Sequence, residues 1–416
     1  MSRDARATLI RGARVLTLGD DPAPRRGPSI GELGAIDHAD VMIRDGVIEA
    51  VGVGVEAPDG CVTIDARGRV VMPAFVDCHT HACWAGDRLD EWELKQRGAT
   101  YLELLERGGG IMSTVRSVRA ASQRELAEDL GRRLVVMLSE GAAHIEVKSG
   151  YGLSTRDELK MLRAIAEASG GFPGTVHPTA CIGHAIDPDT EGFVDRTITE
   201  TLDAVHAEFP GVTIDAYCER GAWSLDDCVR LFDRAMELGH PVRVHADQFN
   251  SLGMIPEAIR RGFVSVDHLE ATTPAELAAL GESECFGVML PCSGFHVDGR
   301  YADGRGLLDA GGLLAIATNA NPGSAPCLSV PMAITLAVRY LGVTAAEAIG
   351  ACTVNAAALL GLKDRGRIAP GLPADLIILR HLDERQLGYE FGGRHVDAVF
   401  VGGRLVAGSP EVSFDG

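Results

Sequence analysis

The stretch Leu313–Cys327, LLAIATNANPGSAPC, decides how the chain is read. An apolar run, LLAIA, ends in Thr318 and Asn319, and Asn-Pro-Gly-Ser then turns the chain. A strand buried on both faces is a near-continuous apolar segment, and in a barrel its end delivers a polar side chain to the mouth. Working outward, seven earlier segments share the form: FVDCH (75–79), HIEVK (144–148), TVHPTACI (175–182), VTIDAY (212–217), PVRVH (241–245), FVSVDH (263–268) and FGVML (286–290). Helical patterns separate them, and Ser122-x-x-Glu125 and Thr155-x-x-Glu158 read as capping boxes opening two of those helices. Eight strand–helix units in succession predict an α/β fold, a (β/α)8 TIM-like barrel. A doubly wound open sheet fits less well, because no Gly-rich phosphate loop follows the first strand.

The two ends of the chain read differently. ATLIRGARVLTL, DVMIRDGVIEAVG and CVTIDARGRVVM near the start, and ADLIILR and VDAVFVGGRLV near the end, alternate apolar and polar residues as half-buried strands do. They predict a small β-sandwich domain built from both termini, residues 1–70 plus 365–416, beside a barrel of residues 71–364. The segment 19–34, GDDPAPRRGPSIGELG, reads as a loop.

A chain of 416 residues, 46% hydrophobic and 23% charged, can bury a core of this size. Its net charge of -19 argues against nucleic acid or an anionic membrane as partner, since both require a basic face. An anionic small substrate needs only one or two local cations. The ten cysteines are scattered, some inside apolar runs (Cys218, Cys285), which reads as reduced core thiols in a cytoplasmic protein. The opening MSRDARATLIRG lacks the apolar segment of a signal peptide, and no apolar run approaches the roughly 18 residues of a membrane span.

The strand ends collect chemistry. In order they offer His79-Thr80-His81, Lys148 to Tyr151, His184, Glu219, His245 to Gln248, Asp267-His268, Cys292 and Asn319. Five of the thirteen histidines thus fall on one face. His-x-His on a strand points both imidazoles the same way, and with His245 and a polar residue ending strand eight it supplies four candidate ligands for one divalent ion, Zn or Fe. Such an ion lowers the pKa of a bound water towards about 7, and a base must then move its proton. An Asp at the end of strand eight can be both ligand and base; Asn319 can only ligate. Lys148 reads as a buried amine paired with Glu146 or Glu219.

At these residues the sequence resembles the amidohydrolase superfamily and, within it, the imidazolonepropionase family. VMPAFVDCHTH (71–81) is similar to the superfamily's first-strand signature, and GRIAPGLPADLIIL (366–379) to its return into the small domain. The narrower resemblance rests on residues 85–122, on IEVKSGYGL (145–153), HADQFNS (245–251), VDHLE (266–270) and NANPGSAP (319–326). It implies hydrolysis of the ring C–N bond of 4-imidazolone-5-propanoate, a small carboxylate substrate, by a homodimer in histidine degradation. It implies His79, His81 and His245 as metal ligands, with Asn319 where the family has an Asp. It places Arg88, Tyr151, His184, Gln248, Asn321, Gly323 and Ser324 at substrate-binding positions, and Gln248, His268 and Asn319 in the catalytic centre. The plainer reading of Arg88 is a surface ion pair with Asp87 or Asp90, and that of Asn321 to Ser324 is an ordinary turn opening a helix. The Asn319 departure has three explanations: an inactivated variant, a natural variant in which His268 or another group moves the proton, or a binding protein on the same fold. Another carboxylate-bearing cyclic amide is the alternative substrate.

Overall fold

The computed structural model describes residues 7–98, 109–409 and 412–414. Part of the motif run 85–122, residues 99–108, lies outside the described residues. The chain begins with strands β1 (Ala7–Leu16), β2 (Ala35–Arg44), β3 (Val47–Gly52), β4 (Val62–Asp65) and β5 (Val70–Pro73). The eight barrel strands follow: β6 (Phe75–Asp77), β7 (Ala142–Lys148), β8 (Thr175–Gly183), β9 (Thr213–Cys218), β10 (Val242–Ala246), β11 (Ser265–His268), β12 (Phe286–Met289) and β13 (Leu313–Ile316). Strands β14 (Leu376–Leu379), β15 (Val396–Val401), β16 (Arg404–Gly408) and β17 (Val412–Phe414) close the chain.

Strands β6 to β13 pair in sequential order, all parallel, which excludes a doubly wound sheet. The seam is closed at the C-terminal ends of β6 and β13. There Thr80 and Ala320 form a parallel bridge, the His81 N–H donates to the Ala320 carbonyl (2.9 Å) and the Asn319 N–H to the His79 carbonyl (3.1 Å). The backbone that shuts the barrel therefore carries three of the four candidate ligands, His79, His81 and Asn319, while His245 lies on β10.

The terminal strands form one nine-stranded sheet, in the order β16-β15-β14-β5-β1-β2-β3, with β4 branching from β1 and β17 pairing β4. Period-two alternation divides its side chains. Val71, Leu376, Ile378 and Phe400 join the small domain's own core. Their neighbours Val70, Met72, Ile377, Leu379 and Val399 join the core shared with the barrel. Both faces being buried, β14 reads as the continuous apolar run LIIL.

Ser122 and Glu125 form the expected capping box. The other expected box is corrected by one residue: Ser154, not Thr155, caps the helix Thr155–Ser169, accepting from the Asp157 N–H (3.1 Å). Glu158 is unavailable to a box because the preceding loop occupies its carboxylate.

Candidate active site

His79, His81 and His245 meet at the barrel mouth, each offering a ring nitrogen within 4.8 Å of the others. The tautomers of His79 and His245 are set from below, while His81 Nδ1 is buried without a protein partner. His79 Nδ1 lies 2.6 Å from Asp267 Oδ2, and His245 Nδ1 lies 2.9 Å from Asp215 Oδ1. A neutral imidazole has one N–H; directed at the carboxylate, it leaves Nε2 as a bare lone pair. His79 Nε2 is buried without a protein partner, and His245 Nε2 faces His81 Nε2 at 3.0 Å. Burial, followed by the nearby cations and histidines, holds His79 and His81 well below the ordinary histidine pKa. His245 is also lowered by burial, with Asp215 opposing. Buried neutral imidazoles with converging lone pairs are a donor set that fits a divalent metal ion.

Beneath this set lies a buried ionic network. Lys148 Nζ bridges Glu146 Oε1 and Asp215 Oδ2, both at 2.7 Å. Arg243 joins Glu146 (2.9 Å) to Asp267 (2.6 Å) and donates to the Cys78 carbonyl (2.7 Å). Of the two expected carboxylates Glu146 is the partner of Lys148, while Glu219 accepts from the backbone N–H groups of Phe249 (2.8 Å) and Asn250 (3.1 Å) and fixes that loop instead. Asp215 and Arg243 are absent from the sequence reading, and Asp267 appears there at its strand end without a role. The signal was present: a charge inside an otherwise apolar strand, as in TIDAYC and FVSVDH, requires a buried partner.

The remaining expected residues surround the three histidines. His184 stacks on His81, ring centroids 4.5 Å apart and planes 11° apart, with Tyr151 at 5.2 Å from His184. The His268 ring lies 5.6 Å from that of His245, and Nδ1 contacts Glu270 Oε1 (3.2 Å). Gln248 accepts from the Tyr217 hydroxyl (2.8 Å). Asn319 is 2% exposed at the end of β13. Asp247, His268, Leu269 and Asn319, all just at or past strand ends, adopt positive φ (56°, 93°, 74° and 56°). Such backbone costs energy outside glycine and concentrates at functional sites.

Arg88 pairs with Glu91, not with Asp87 or Asp90, and its guanidinium reaches across the mouth. A Cβ on Gly323 would stand 3.2 Å from Arg88 Nη1, so the guanidinium passes close over this turn. The turn at Asn321–Ser324 opens no helix; the next begins at Val330. Asn321 Oδ1 accepts from the N–H groups of Gly323 (2.9 Å) and Ser324 (2.7 Å), and its Nδ2 donates to the Asn319 carbonyl (2.7 Å). The turn's N–H groups are therefore occupied from within, as in an Asx turn.

An eight-stranded parallel barrel with a three-histidine cluster at its mouth is an architecture of metal-dependent hydrolases, and the Amidohydrolase family pattern matches residues 70–406. The chain belongs to the amidohydrolase family and is a hydrolase. Within that family it belongs with the imidazolonepropionases. It is 45% identical over 399 residues to imidazolonepropionase from Herpetosiphon aurantiacus, covering 92% of this chain and 93% of that one. It is 43% identical over 385 residues to imidazolonepropionase from Deinococcus radiodurans, covering 92% and 95%. Among solved structures, 5-methylcytosine deaminase from Klebsiella pneumoniae superposes with TM-score 0.73 at 17% identity, over 97% of this chain and 98% of that one. A zinc-bound adenosine deaminase from Xanthomonas campestris superposes at 0.65 and 18%, over 96% and 92%. At such identities these two speak for the fold alone.

Proposed function

We propose that this chain hydrolyses the ring C–N bond of 4-imidazolone-5-propanoate, giving N-formimidoyl-L-glutamate in histidine degradation. The observation that carries this reading is the pairing of the three-histidine cluster with Arg88 at one barrel mouth. His79, His81 and His245 would hold one divalent ion, Zn or Fe, with the Asn319 amide oxygen as a further neutral donor. A second ion is disfavoured. The other close group, Cys181, Asp215 and His245, has both Asp215 oxygens engaged, and burial raises the Cys181 thiol pKa well above its ordinary value. When bound, the ion supplies Lewis acidity and an acidified water. Arg88 holds the propanoate carboxylate, with Tyr151 and His184 walling that end of the site and Gly323 and Ser324 below it. His268 polarises the attacked carbonyl, while Gln248, fixed by Tyr217, orients the ring. The protein acts in the cytoplasm, consistent with ten free cysteines. Among the described residues no helix is long and apolar enough to cross a membrane. Exposed Tyr389 and Phe391 support a homodimer; a monomer mass by light scattering would remove that part of the reading.

Two measurements test the site. Dialysis against a chelator should abolish turnover, and Zn or Fe should restore it at close to one ion per chain; full activity in metal-free protein sinks the reading. Arg88→Ala should raise KM for the propanoate substrate by about 10- to 100-fold, the worth of a charge-assisted hydrogen bond. A neutral ring should lose far less. Equal losses for both would favour another cyclic amide.

A further inference from the structure

The loop 149–153, SGYGL, carries Tyr151; its start is tied to β8 by the Ser149 N–H on the Thr179 carbonyl (2.9 Å), and beyond that side chains anchor its backbone. Glu158, in the first turn of the helix Thr155–Ser169, turns back beneath it. Its Oε2 accepts from the Gly150 N–H (2.9 Å), and its Oε1 from those of Gly152 (2.8 Å) and Leu153 (2.9 Å). Glu158 is 1% exposed. From the other side Arg119, on the helix Ile111–Ala120, donates to the carbonyls of Gly152 and Leu153, both at 2.8 Å. Asp187 holds the same guanidinium at 2.8 Å. His184 Nδ1 meets the Gly150 carbonyl at 3.0 Å. The N–H and C=O groups of Gly150, Gly152 and Leu153 are thus all held by side chains, and Tyr151 stands between them.

The fit is tight. A Cβ on Gly152 would lie 2.5 Å from the Glu158 nitrogen, and Leu153 is held at φ 47°. A carboxylate accepting three N–H groups inside a protein is costly to bury, more than an ordinary connecting loop requires. What it secures is the placement of one aromatic side chain beside His81 and His184, and errors of about 1 Å in such placement weaken a site severely.

We propose that Glu158 and Arg119 are positioning residues for substrate recognition, a two-sided clamp that fixes Tyr151 and His184 against the carboxylate-bearing end of the substrate. This rests on Tyr151 and His184 being substrate contacts. It also explains why the runs STVRSVR and KSGYGL, distant in sequence, belong together: one clamps the other.

The test uses the metal-loaded full chain and a stable probe, 3-(imidazol-4-yl)propanoate, with binding read by calorimetry and kinetics by loss of imidazolone absorbance. Glu158→Gln and Arg119→Gln should each weaken probe binding and raise KM by about tenfold, as removal of outer supporting hydrogen bonds does. Metal content should be unchanged and kcat within about threefold. Unchanged probe binding in both variants overturns the proposal, as does a fall in kcat with KM and binding unmoved. Should Glu158→Gln fail to fold, Arg119→Gln decides alone. Tyr151→Phe separates the two readings. If it weakens binding while the clamp variants do not, the clamp is wrong and the substrate reading stands; if it too leaves binding unchanged, Tyr151 is not a contact and both fall.

Discussion

Replacing Asn319 by Asp is expected to raise kcat by at least about 10²-fold, the usual worth of a positioned general base. Asn and Asp are nearly the same shape, so the exchange changes charge rather than packing. The backbone of residue 319 is held by its N–H bond to the His79 carbonyl and by Asn321 Nδ2 on its own carbonyl, so the new carboxylate enters a fixed frame. Burial lowers the pKa of all three histidines, and Asn319 adds no charge, so a divalent ion held there would have no anionic donor in direct contact. An Asp there would supply that charge and a proton acceptor together. The measurement compares hydrolysis by the two chains at matched metal content. Equal, substantial rates would mean that another group moves the proton, and His268 is the one to remove next. No turnover by either chain, with tight probe binding in both, would identify a binding protein.

The barrel was legible because its strands are buried on both faces and so stand out as unbroken apolar runs. Their ends were less legible for the same reason. Phe263 and Val264 extend the run before β11, and Ala317 and Thr318 extend it after β13, although the strands themselves span only Ser265–His268 and Leu313–Ile316. His79, His81 and His245 could be read from spacing and strand position. Their supports could not, because which carboxylate meets which histidine depends on neighbouring-strand register: Asp215 lies two residues before Tyr217, which pairs with His245 across β9 and β10. The displaced cap shows how local signals compete. In STRDE both Ser154-x-x-Asp157 and Thr155-x-x-Glu158 satisfy the capping pattern, and only the folded loop reveals that Glu158 is engaged elsewhere. Glu91, by contrast, stands three residues beyond Arg88, a spacing that favours it over Asp87 or Asp90 once a helix is recognised from Leu89.

The largest stability loss is expected from Lys148→Met. Met keeps most of the volume, so the change isolates the charge. Burial and Arg243 both act to lower the pKa of Lys148, and the carboxylates of Asp215, Glu146 and Asp267 more than reverse them. Without the ammonium, Glu146 retains Arg243, but Asp215 retains only His245. A buried carboxylate stripped of its cation costs about 3–5 kcal/mol, visible as a lower urea midpoint. The same loss should reach the metal. Asp215 holds the His245 N–H, and disturbing such a support typically weakens metal affinity by about 10- to 100-fold. The double variant Lys148→Met/Asp215→Asn separates the two consequences. Removing the stranded charge should restore part of the urea midpoint, because the penalty lies in an unpaired anion rather than in lost packing. It should not restore metal affinity, because a neutral amide orients His245 less firmly than a carboxylate. A Lys148→Met chain as stable as the parent would show that the ammonium is not what keeps Asp215 charged beneath the site, and a double variant no more stable than the single would assign the loss to packing.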